Sequence, residues 1–131
     1  MDIDPSILQF VKSQNLCVLS TVTVDQRSES AVMAYTVNDH LLFFLSSEPE
    51  TRKIKNIAAN PHVSLVIGGL NHDPTIQIDG HASLLSPQET KTAKAYMLKV
   101  HPELKNYLSP DCIFFTISPH WLRFSDFSQN P

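Results

Sequence analysis

Short apolar runs separated by polar turns recur along the chain and predict mainly β structure. The runs are of strand length and rich in valine, leucine, isoleucine and phenylalanine. They cover residues 16–24, 30–37, 41–45, 63–67, 75–85, 112–117 and 120–124. Closing such a sheet would remove the edges that short apolar strands otherwise expose. We therefore expect six or seven antiparallel strands that close into a barrel, within a single domain spanning residues 1–131.

Helical patterns interrupt the strands. Near the start, Asp4 followed by Pro5 predicts a short amphipathic helix that ends near Asn15. Later, Ser86 and Glu89 have the spacing of a capping box, in which each side chain accepts a hydrogen bond from the backbone of the other residue. They predict a second helix that runs to about residue 100. Its expected apolar face consists of Ala93, Met97 and Val100.

The stretch 41–69 predicts a strand, a capped helix and another strand. Ser47 and Glu50 again have capping-box spacing, and Pro49 falls in the first turn of the helix that they would begin. Asn60 followed by Pro61 ends that helix, because the residue before a proline disfavours the α conformation. The expected apolar face of this helix consists of Ile54, Ile57 and Ala58.

The same helix carries the only dense basic cluster of the sequence. Arg52 and Lys53 lie in its early turns, where the macrodipole is positive and cations do not stabilise a helix. A phosphate group would find there two cations, unpaired N–H groups and hydroxyl groups, which are those of Ser46, Ser47 and Thr51. The pattern therefore predicts a small anion site. The alternative is a solvated basic helix face that nearby glutamates balance.

Composition narrows the possible functions. The 131 residues are 42% hydrophobic and 18% charged, which is ordinary for a globular domain. A net charge of −3 argues against a nucleic-acid binder. Cys17 and Cys112 belong to no metal or redox motif, and the six histidines lack the spacing of a zinc site, so we expect free thiols and no metal. No signal peptide or membrane span is evident. We expect a soluble, cytoplasmic protein that binds no membrane.

The central stretch resembles the flavin-phosphate segment of the pyridoxamine-phosphate-oxidase-like family, the FMN-binding split barrels. In that family an apolar strand and a Ser/Thr turn precede Thr/Ser-Arg-Lys, which opens a helix that ends in Asn-Pro before another strand. The matching residues here are Phe43-Phe44, Ser46-Ser47, Thr51-Arg52-Lys53, Asn60-Pro61 and the run 63–66. Two weaker matches, in residues 75–80 and 117–124, extend the resemblance over roughly the whole chain.

The resemblance implies a split β-barrel and a homodimer with FMN at the subunit interface. Arg52 and Lys53 would hold the phosphate, supported by Ser47 and Thr51, with Ser46 in the adjoining turn. Other residues at family positions near the flavin are Val32, Met33 and Ala34 along the second strand, Thr75 near the ring, and Trp121, which would reach the flavin of the other subunit. For Trp121 the alternative is an ordinary core position.

Several functional hypotheses follow from these observations. The first is an FMN-dependent oxidoreductase of unknown substrate, for which no catalytic residue can be assigned. We do not expect oxidation of pyridoxamine phosphate itself, since the arginine- and histidine-rich C-terminal segment of those enzymes is not recognisable here. The second is a dimeric barrel that binds flavin or haem without turnover, with His120 as the residue to test for haem. A dimer without a cofactor is the third, because Ser30 and Thr75 stand where the larger enzymes have arginine and glutamine.

Overall fold

One curled antiparallel sheet organises the computed structural model, which describes residues 3–71 and 73–126. Its strands, in chain order, are β1 Leu16–Val22, β2 Ser28–Ala34, β3 Thr36–Val37, β4 Phe43–Ser47, β5 His62–Gly68, β6 Thr75–Leu84 and β7 Ile113–Ser125. The helices are α1 Pro5–Ser13, α2 Arg52–Ala59 and α3 Pro87–Val100, followed by a 3₁₀ helix at Pro102–Asn106. The described helices include none long and apolar enough to cross a membrane.

The chain itself joins the two edges of the sheet. The strand order is β2-β1-β5-β6-β7-β4-β3, so β2 and β3 lie at opposite edges. Only Tyr35 separates the end of β2 from the start of β3 along the chain. The two edges must therefore meet at Tyr35, which curls the sheet into a barrel. The predicted strand 30–37 is thus divided between both edges, and the predicted split-barrel fold is confirmed.

Inward-facing apolar side chains fill the barrel. Alternation along β1 and β5 buries Leu19 and Leu65, while their neighbours in sequence face outward. The α1 helix begins as predicted, with the Asp4 carboxylate accepting a hydrogen bond from Ser6 N at 2.8 Å, but it ends at Ser13 rather than near Asn15. Val11 of α1 is fully buried against the core. This helix therefore covers part of the barrel interior.

The two remaining α-helices bury different apolar surfaces. Ile54 and Ile57 of α2 belong to the main core inside the barrel. Ala93 and Met97 of α3 form a smaller cluster with Phe114 of β7. The predicted contributions of Ala58 and Val100 to these faces are wrong, because both side chains are exposed. In α2 the third buried residue is the polar Asn56 instead.

The start of the central stretch differs from its prediction. Leu41 is buried but lies in a turn with φ of 60°, and Asn38 holds that turn by accepting hydrogen bonds from His40 N and Leu42 N. The following strand is consequently Phe43–Ser47 rather than 41–45. The predicted capping box of Ser47 and Glu50 is absent, since α2 begins at Arg52 with Thr51 as its N-cap.

The last two predicted strands form one continuous strand with a bulge. Gly80 of β6 pairs with Pro119, whereas the preceding Asp79 pairs with Trp121, so His120 is the extra residue on β7. A Cβ atom at position 80 would lie 2.8 Å from the Ser118 carbonyl oxygen, and glycine is therefore required for this close approach. The interruption between the predicted runs 112–117 and 120–124 coincides with this bulge.

Candidate functional site

The end of β4 and the start of α2 bring four of the predicted phosphate ligands together. Ser47 is the last residue of β4, Thr51 is the N-cap of α2, and Arg52 and Lys53 are its first two residues. The hydroxyl oxygens of Ser47 and Thr51 lie 2.8 Å apart, and Lys53 Nζ donates to Ser47 Oγ at 3.4 Å. A cation and two hydroxyl groups thus converge at one end of a helix. We refer to Ser47, Thr51, Arg52 and Lys53 as the basic cluster.

The N-terminus of α2 has backbone N–H groups that are not capped by a side chain of the described residues. The Thr51 hydroxyl interacts with Ser47 Oγ and the Glu48 carbonyl oxygen instead of a helix N–H group. Its first turn contains no acidic residue. The first N–H groups of a helix have no intrahelical partner and carry partial positive charge. This end of α2 is therefore suited to an anion such as a phosphate group.

A cavity of about 350 Å³ adjoins the basic cluster. It lies between the N-terminus of α2 and the inner side of β1 and the edge strand β2. Its lining residues are Leu19, Thr21, Glu29, Ser30, Ala31, Glu50, Thr51, Arg52 and Lys53. The cavity combines the two predicted cations with two carboxylates, so it is not uniformly positive.

Glu29 is a residue of this site that sequence reasoning missed. Its Oε2 lies 2.7 Å from Arg52 Nη1, and its Oε1 accepts a hydrogen bond from Asn56 Nδ2 at 2.8 Å. Asn56 also donates to Thr21 Oγ1 at 2.9 Å. A signal was available, because alternation along β2 places Glu29 on the same inward face as Met33. A carboxylate on an inward face requires a partner.

The predicted ligand Ser46 does not belong to the basic cluster. Successive residues of a strand point to opposite faces, so Ser46 shares the face of Phe44 whereas Ser47 shares the face of the buried Leu45. Neither serine lines the cavity beside Arg52, but Ser47 has hydrogen bonds with Thr51 and Lys53, both of which do. A role for the Ser46 hydroxyl in the same anion site is therefore not favoured by the geometry.

The three predicted flavin neighbours on β2 divide between its two faces. Val32 is 66% exposed and Ala34 is exposed, whereas Met33 points into the core. Since β2 is an edge strand, the outward side chains of Val32 and Ala34 are accessible beside an unpaired strand edge. Because the Met33 side chain is buried, it does not contact a ligand on the outer face of β2. Only the backbone of Met33 can do so.

Thr75 and Trp121 lie far from the basic cluster along the sheet. Thr75 begins β6 and is half-buried, and Trp121 on β7 is 46% exposed. Ser47 of the basic cluster pairs with Ile113, eight residues along β7 from Trp121, and Thr75 pairs with Ser125 still farther along that strand. At about 3.3 Å per residue, Trp121 is roughly 25 Å from Ile113. Trp121 therefore does not join the basic cluster within one chain. The alternative of a core position for Trp121 is wrong, because the side chain is on the surface.

A second cavity lies on the outer side of the sheet near the bulge. It measures about 340 Å³, and its lining includes His62, Ser64, Asp79 and His120. Ser64 Oγ donates to Asp79 Oδ1 at 3.0 Å. Within residues 3–71 and 73–126, no group of three or more His, Cys, Asp or Glu side chains is arranged to hold a metal ion.

Neither cysteine has the character of a nucleophile. Cys17 is buried, and this burial raises the pKa of its thiol to about 12. Burial also raises the pKa of Cys112 above its ordinary value. Both side chains are free thiols that remain protonated at neutral pH. The chain therefore offers binding groups at the basic cluster but no cysteine thiolate for covalent chemistry.

Comparison with known proteins identifies the architecture. The family model described as pyridoxamine 5′-phosphate oxidase matches residues 3–126. General Stress Protein 26 from Bacillus anthracis is 26% identical, with a TM-score of 0.74 over 92% of this chain and 91% of that chain. The haem storage protein HutZ from Vibrio cholerae is 19% identical, with a TM-score of 0.79 over 95% and 96% of the two chains. A FAD-binding protein from Mesorhizobium loti is 18% identical, with a TM-score of 0.75 over 91% and 89%. No protein of curated function matches the chain.

Proposed function

The chain belongs to the pyridoxamine 5′-phosphate oxidase family, and on that premise we propose that it is a flavoprotein that binds FMN through its phosphate at the basic cluster. The observation that carries this proposal is the N-terminus of α2, where Lys53 and two hydroxyl groups converge beside uncapped N–H groups and Arg52 is the first helical residue. Each of these groups donates hydrogen bonds, which is the donor set that a phosphate dianion requires. The residues present therefore fit the phosphate end of FMN.

The chain contributes binding and orientation in this proposal. Lys53 and Arg52 would compensate the phosphate charge, while the hydroxyl groups of Ser47 and Thr51 would fix its position. Val32 and Ala34 offer an accessible apolar surface beside the β2 edge for the rest of the flavin. A bound flavin would supply the redox chemistry by accepting and returning electrons. A flavin-dependent oxidoreductase of unknown substrate is the activity that we propose.

A homodimer belongs to the same proposal. The outward faces of β2, β1 and β5 present aliphatic side chains in register, since Val32 pairs with Val18 and Val18 pairs with Val66. Their exposed fractions are 66%, 39% and 43%, and Leu16 beside them is 57% exposed. A contiguous exposed apolar patch of this kind is typical of an interface. A second chain placed there could bring its own Trp121 towards the flavin, which one chain alone does not do. A cytoplasmic location remains part of the proposal, supported by the two free thiols.

Haem binding without turnover is the second candidate. It is favoured by the exposed His120 at the bulge of β7, beside the partly exposed Trp121, and HutZ with a similar fold is a haem storage protein. The adjoining cavity, however, has serine hydroxyl groups and the Asp79 carboxylate beside its apolar lining. A carboxylate is poorly matched to the apolar face of a haem macrocycle. We therefore rank this candidate below FMN.

The visible absorption spectrum of the purified protein tests the two candidates. We expect flavin bands, present on purification or acquired after addition of FMN, that co-elute with a species of twice the mass of one chain. A Soret band abolished by His120→Ala would instead favour haem. A colourless protein that does not respond to FMN would contradict the proposal. Reduction of the bound flavin by NADH or NADPH, followed by reoxidation, would distinguish an oxidoreductase from a passive binder.

A further inference from the structure

The ion pair between Glu29 and Arg52 places a carboxylate where an incoming phosphate would need the guanidinium. We infer that Glu29 is a built-in competitor for the phosphate, which limits the affinity of the site for phosphate esters and keeps the ligand exchangeable. This inference rests on the proposed function, because the phosphate in question is that of FMN. Its basis is the 2.7 Å contact between Glu29 Oε2 and Arg52 Nη1, at the lining of the same cavity.

The two partners of this ion pair are held very differently. The Glu29 side chain is 18% exposed, and its second oxygen accepts a hydrogen bond from the buried Asn56. Asn56 is fixed in turn by its bond to Thr21. The Arg52 side chain is 77% exposed at the start of α2. When a phosphate competes for the guanidinium, Arg52 is therefore the partner that can rotate, and the Glu29 carboxylate stays in place.

A carboxylate fixed at this position acts against a bound phosphate in two ways. It holds Arg52, so that binding through Arg52 requires exchange of one charged hydrogen bond for another. It also repels the phosphate, because like charges within several ångströms destabilise each other in a partly desolvated site. Lys53 lies on the side of Ser47 and Thr51, where it donates to Ser47. Lys53 is thus the cation that can bind the phosphate without breaking the Glu29–Arg52 pair.

The substitution Glu29→Gln tests the inference with little change in shape. A glutamine can still accept the hydrogen bond from Asn56, but it no longer holds Arg52 by charge. We expect the affinity for FMN to rise about tenfold, which corresponds to about 1.4 kcal/mol. We expect the affinity for riboflavin, which lacks the phosphate, to stay within twofold. Fluorescence titration with each flavin measures both values.

Glu103→Gln is the matched control. Glu103 lies in the 3₁₀ helix Pro102–Asn106, away from the cavity, and its carboxylate lies 3.3 Å from His101 Nδ1 and is 66% exposed. This variant removes one negative charge without changing the partner of Arg52, and we expect its FMN affinity to change by less than twofold. In the background of Arg52→Ala, the gain from Glu29→Gln should shrink to the part due to repulsion alone. Thermal unfolding followed by circular dichroism verifies that each variant is folded.

Several outcomes would overturn the inference. A weaker or unchanged affinity for FMN in Glu29→Gln would mean that Glu29 positions Arg52 for the phosphate rather than competing with it. An equal gain for riboflavin would mean that the effect does not act through the phosphate. If neither wild type nor variant binds FMN, the proposed function fails, and inorganic pyrophosphate then serves as the probe. Pyrophosphate binding is monitored through the Arg52 guanidinium signals in NMR spectra. If Glu29→Gln does not strengthen this binding, the competition is rejected independently of any flavin.

Discussion

A serine and a glutamate three residues apart lie near the N-termini of both α2 and α3, but the backbone N–H groups of the two helices are treated in opposite ways. In α3, Ser86 Oγ accepts a hydrogen bond from Glu89 N at 3.2 Å, and the Glu89 carboxylate accepts one from Ser86 N at 3.0 Å. The bond from Ser86 N lowers the pKa of the Glu89 carboxyl group below its ordinary value. In α2 the N-cap is Thr51, no side-chain cap is present among the described residues, and the first two residues are cations.

The α3 helix therefore satisfies its N-terminal N–H groups with its own side chain, whereas the α2 helix leaves these groups available to a ligand. The capping box of α3 satisfies two orphan donors and places an acidic residue at the positive end of the helix. The α2 helix forgoes such stabilisation, which is typically about 1 kcal/mol for a good cap. It is held instead by Ile54 and Ile57 in the barrel core. Donors left free at a helix end that is anchored elsewhere are consistent with a binding role for α2.

The largest effect is expected from removing both cations of α2. Arg52→Ala combined with Lys53→Ala should weaken FMN binding by at least about 100-fold, because charge-assisted hydrogen bonds contribute roughly 1.5–3 kcal/mol each. Stability should fall only modestly, since neither side chain belongs to the core and Glu29, which loses its ion pair with Arg52, keeps the hydrogen bond from Asn56. Equilibrium titration with FMN measures the loss.

The matched control removes two cations from α3, by Lys91→Ala combined with Lys99→Ala. Both lysines are exposed and lie away from the basic cluster. We expect FMN affinity within twofold of wild type for this variant. Micromolar affinity retained after loss of Arg52 and Lys53 would reject the assignment of the phosphate site.

An intermediate effect is expected from giving α2 the kind of cap that α3 has. Thr51→Asp places a favourable N-cap residue whose carboxylate would accept from the free N–H groups and repel a phosphate. We expect FMN affinity to fall at least about tenfold while the free energy of unfolding rises by up to about 1 kcal/mol. Urea unfolding and FMN titration of the same samples measure both quantities.

Thr51→Asn separates the two causes of that loss. Asparagine is an equally good N-cap but carries no charge. A loss of affinity in both variants would assign the effect to occupied N–H groups or to the missing Thr51 hydroxyl group, and a loss only in Thr51→Asp would assign it to charge repulsion. Unchanged affinity in both would contradict a role for this helix end in binding.

Breaking the cap of α3 should produce a smaller effect that is confined to stability. Ser86→Ala removes the acceptor of the Glu89 N–H group and should lower the free energy of unfolding by about 1 kcal/mol. FMN affinity should remain at the wild-type value, because α3 does not line the cavity of the basic cluster. Loss of FMN binding at unchanged stability would contradict the division of roles between the two helices.

The smallest effect is the pH dependence that Glu89 contributes. Because its pKa is lowered in the folded protein from an ordinary value of 4.5, its stabilising effect is present above that value. The effect is lost as the pH falls through the lowered pKa. Urea unfolding of wild type and Glu89→Gln should therefore differ at pH 7 and converge in acid. A difference of the same size at both pH values would contradict this origin.

The sequence predicted the α3 cap correctly and the α2 cap wrongly for a physical reason. The pattern of Ser86 and Glu89 acts within one turn, and nothing else competes for these residues. The equivalent pattern of Ser47 and Glu50 is local too, but Ser47 pairs with Ile113 of β7 and remains in the strand. A partner more than sixty residues away cannot be read from local spacing. The apolar runs were sufficient to predict the strands, because strand length and composition depend only on neighbouring positions. Closure into a barrel was expected from the edge argument and from the family resemblance.

The candidate site was predictable only in part for the same reason. Thr51, Arg52 and Lys53 are consecutive, so their proximity follows from the sequence. Glu29 reaches Arg52 because β2 lies at the sheet edge beside the N-terminus of α2. This arrangement is determined by the pairing of β1 with β2 and by the packing of Asn56. The division of strand 30–37 at Tyr35 likewise depends on closure of the whole barrel.

A comparison of FMN with riboflavin tests the central claim most directly. The two ligands share the ring system and the ribityl chain and differ by the phosphate that we assign to the N-terminus of α2. Fluorescence titration of the wild-type protein should show FMN binding at least about 100-fold more tightly than riboflavin, with the difference abolished in the Arg52→Ala, Lys53→Ala variant. Equal affinities for FMN and riboflavin in the wild-type protein would contradict the account.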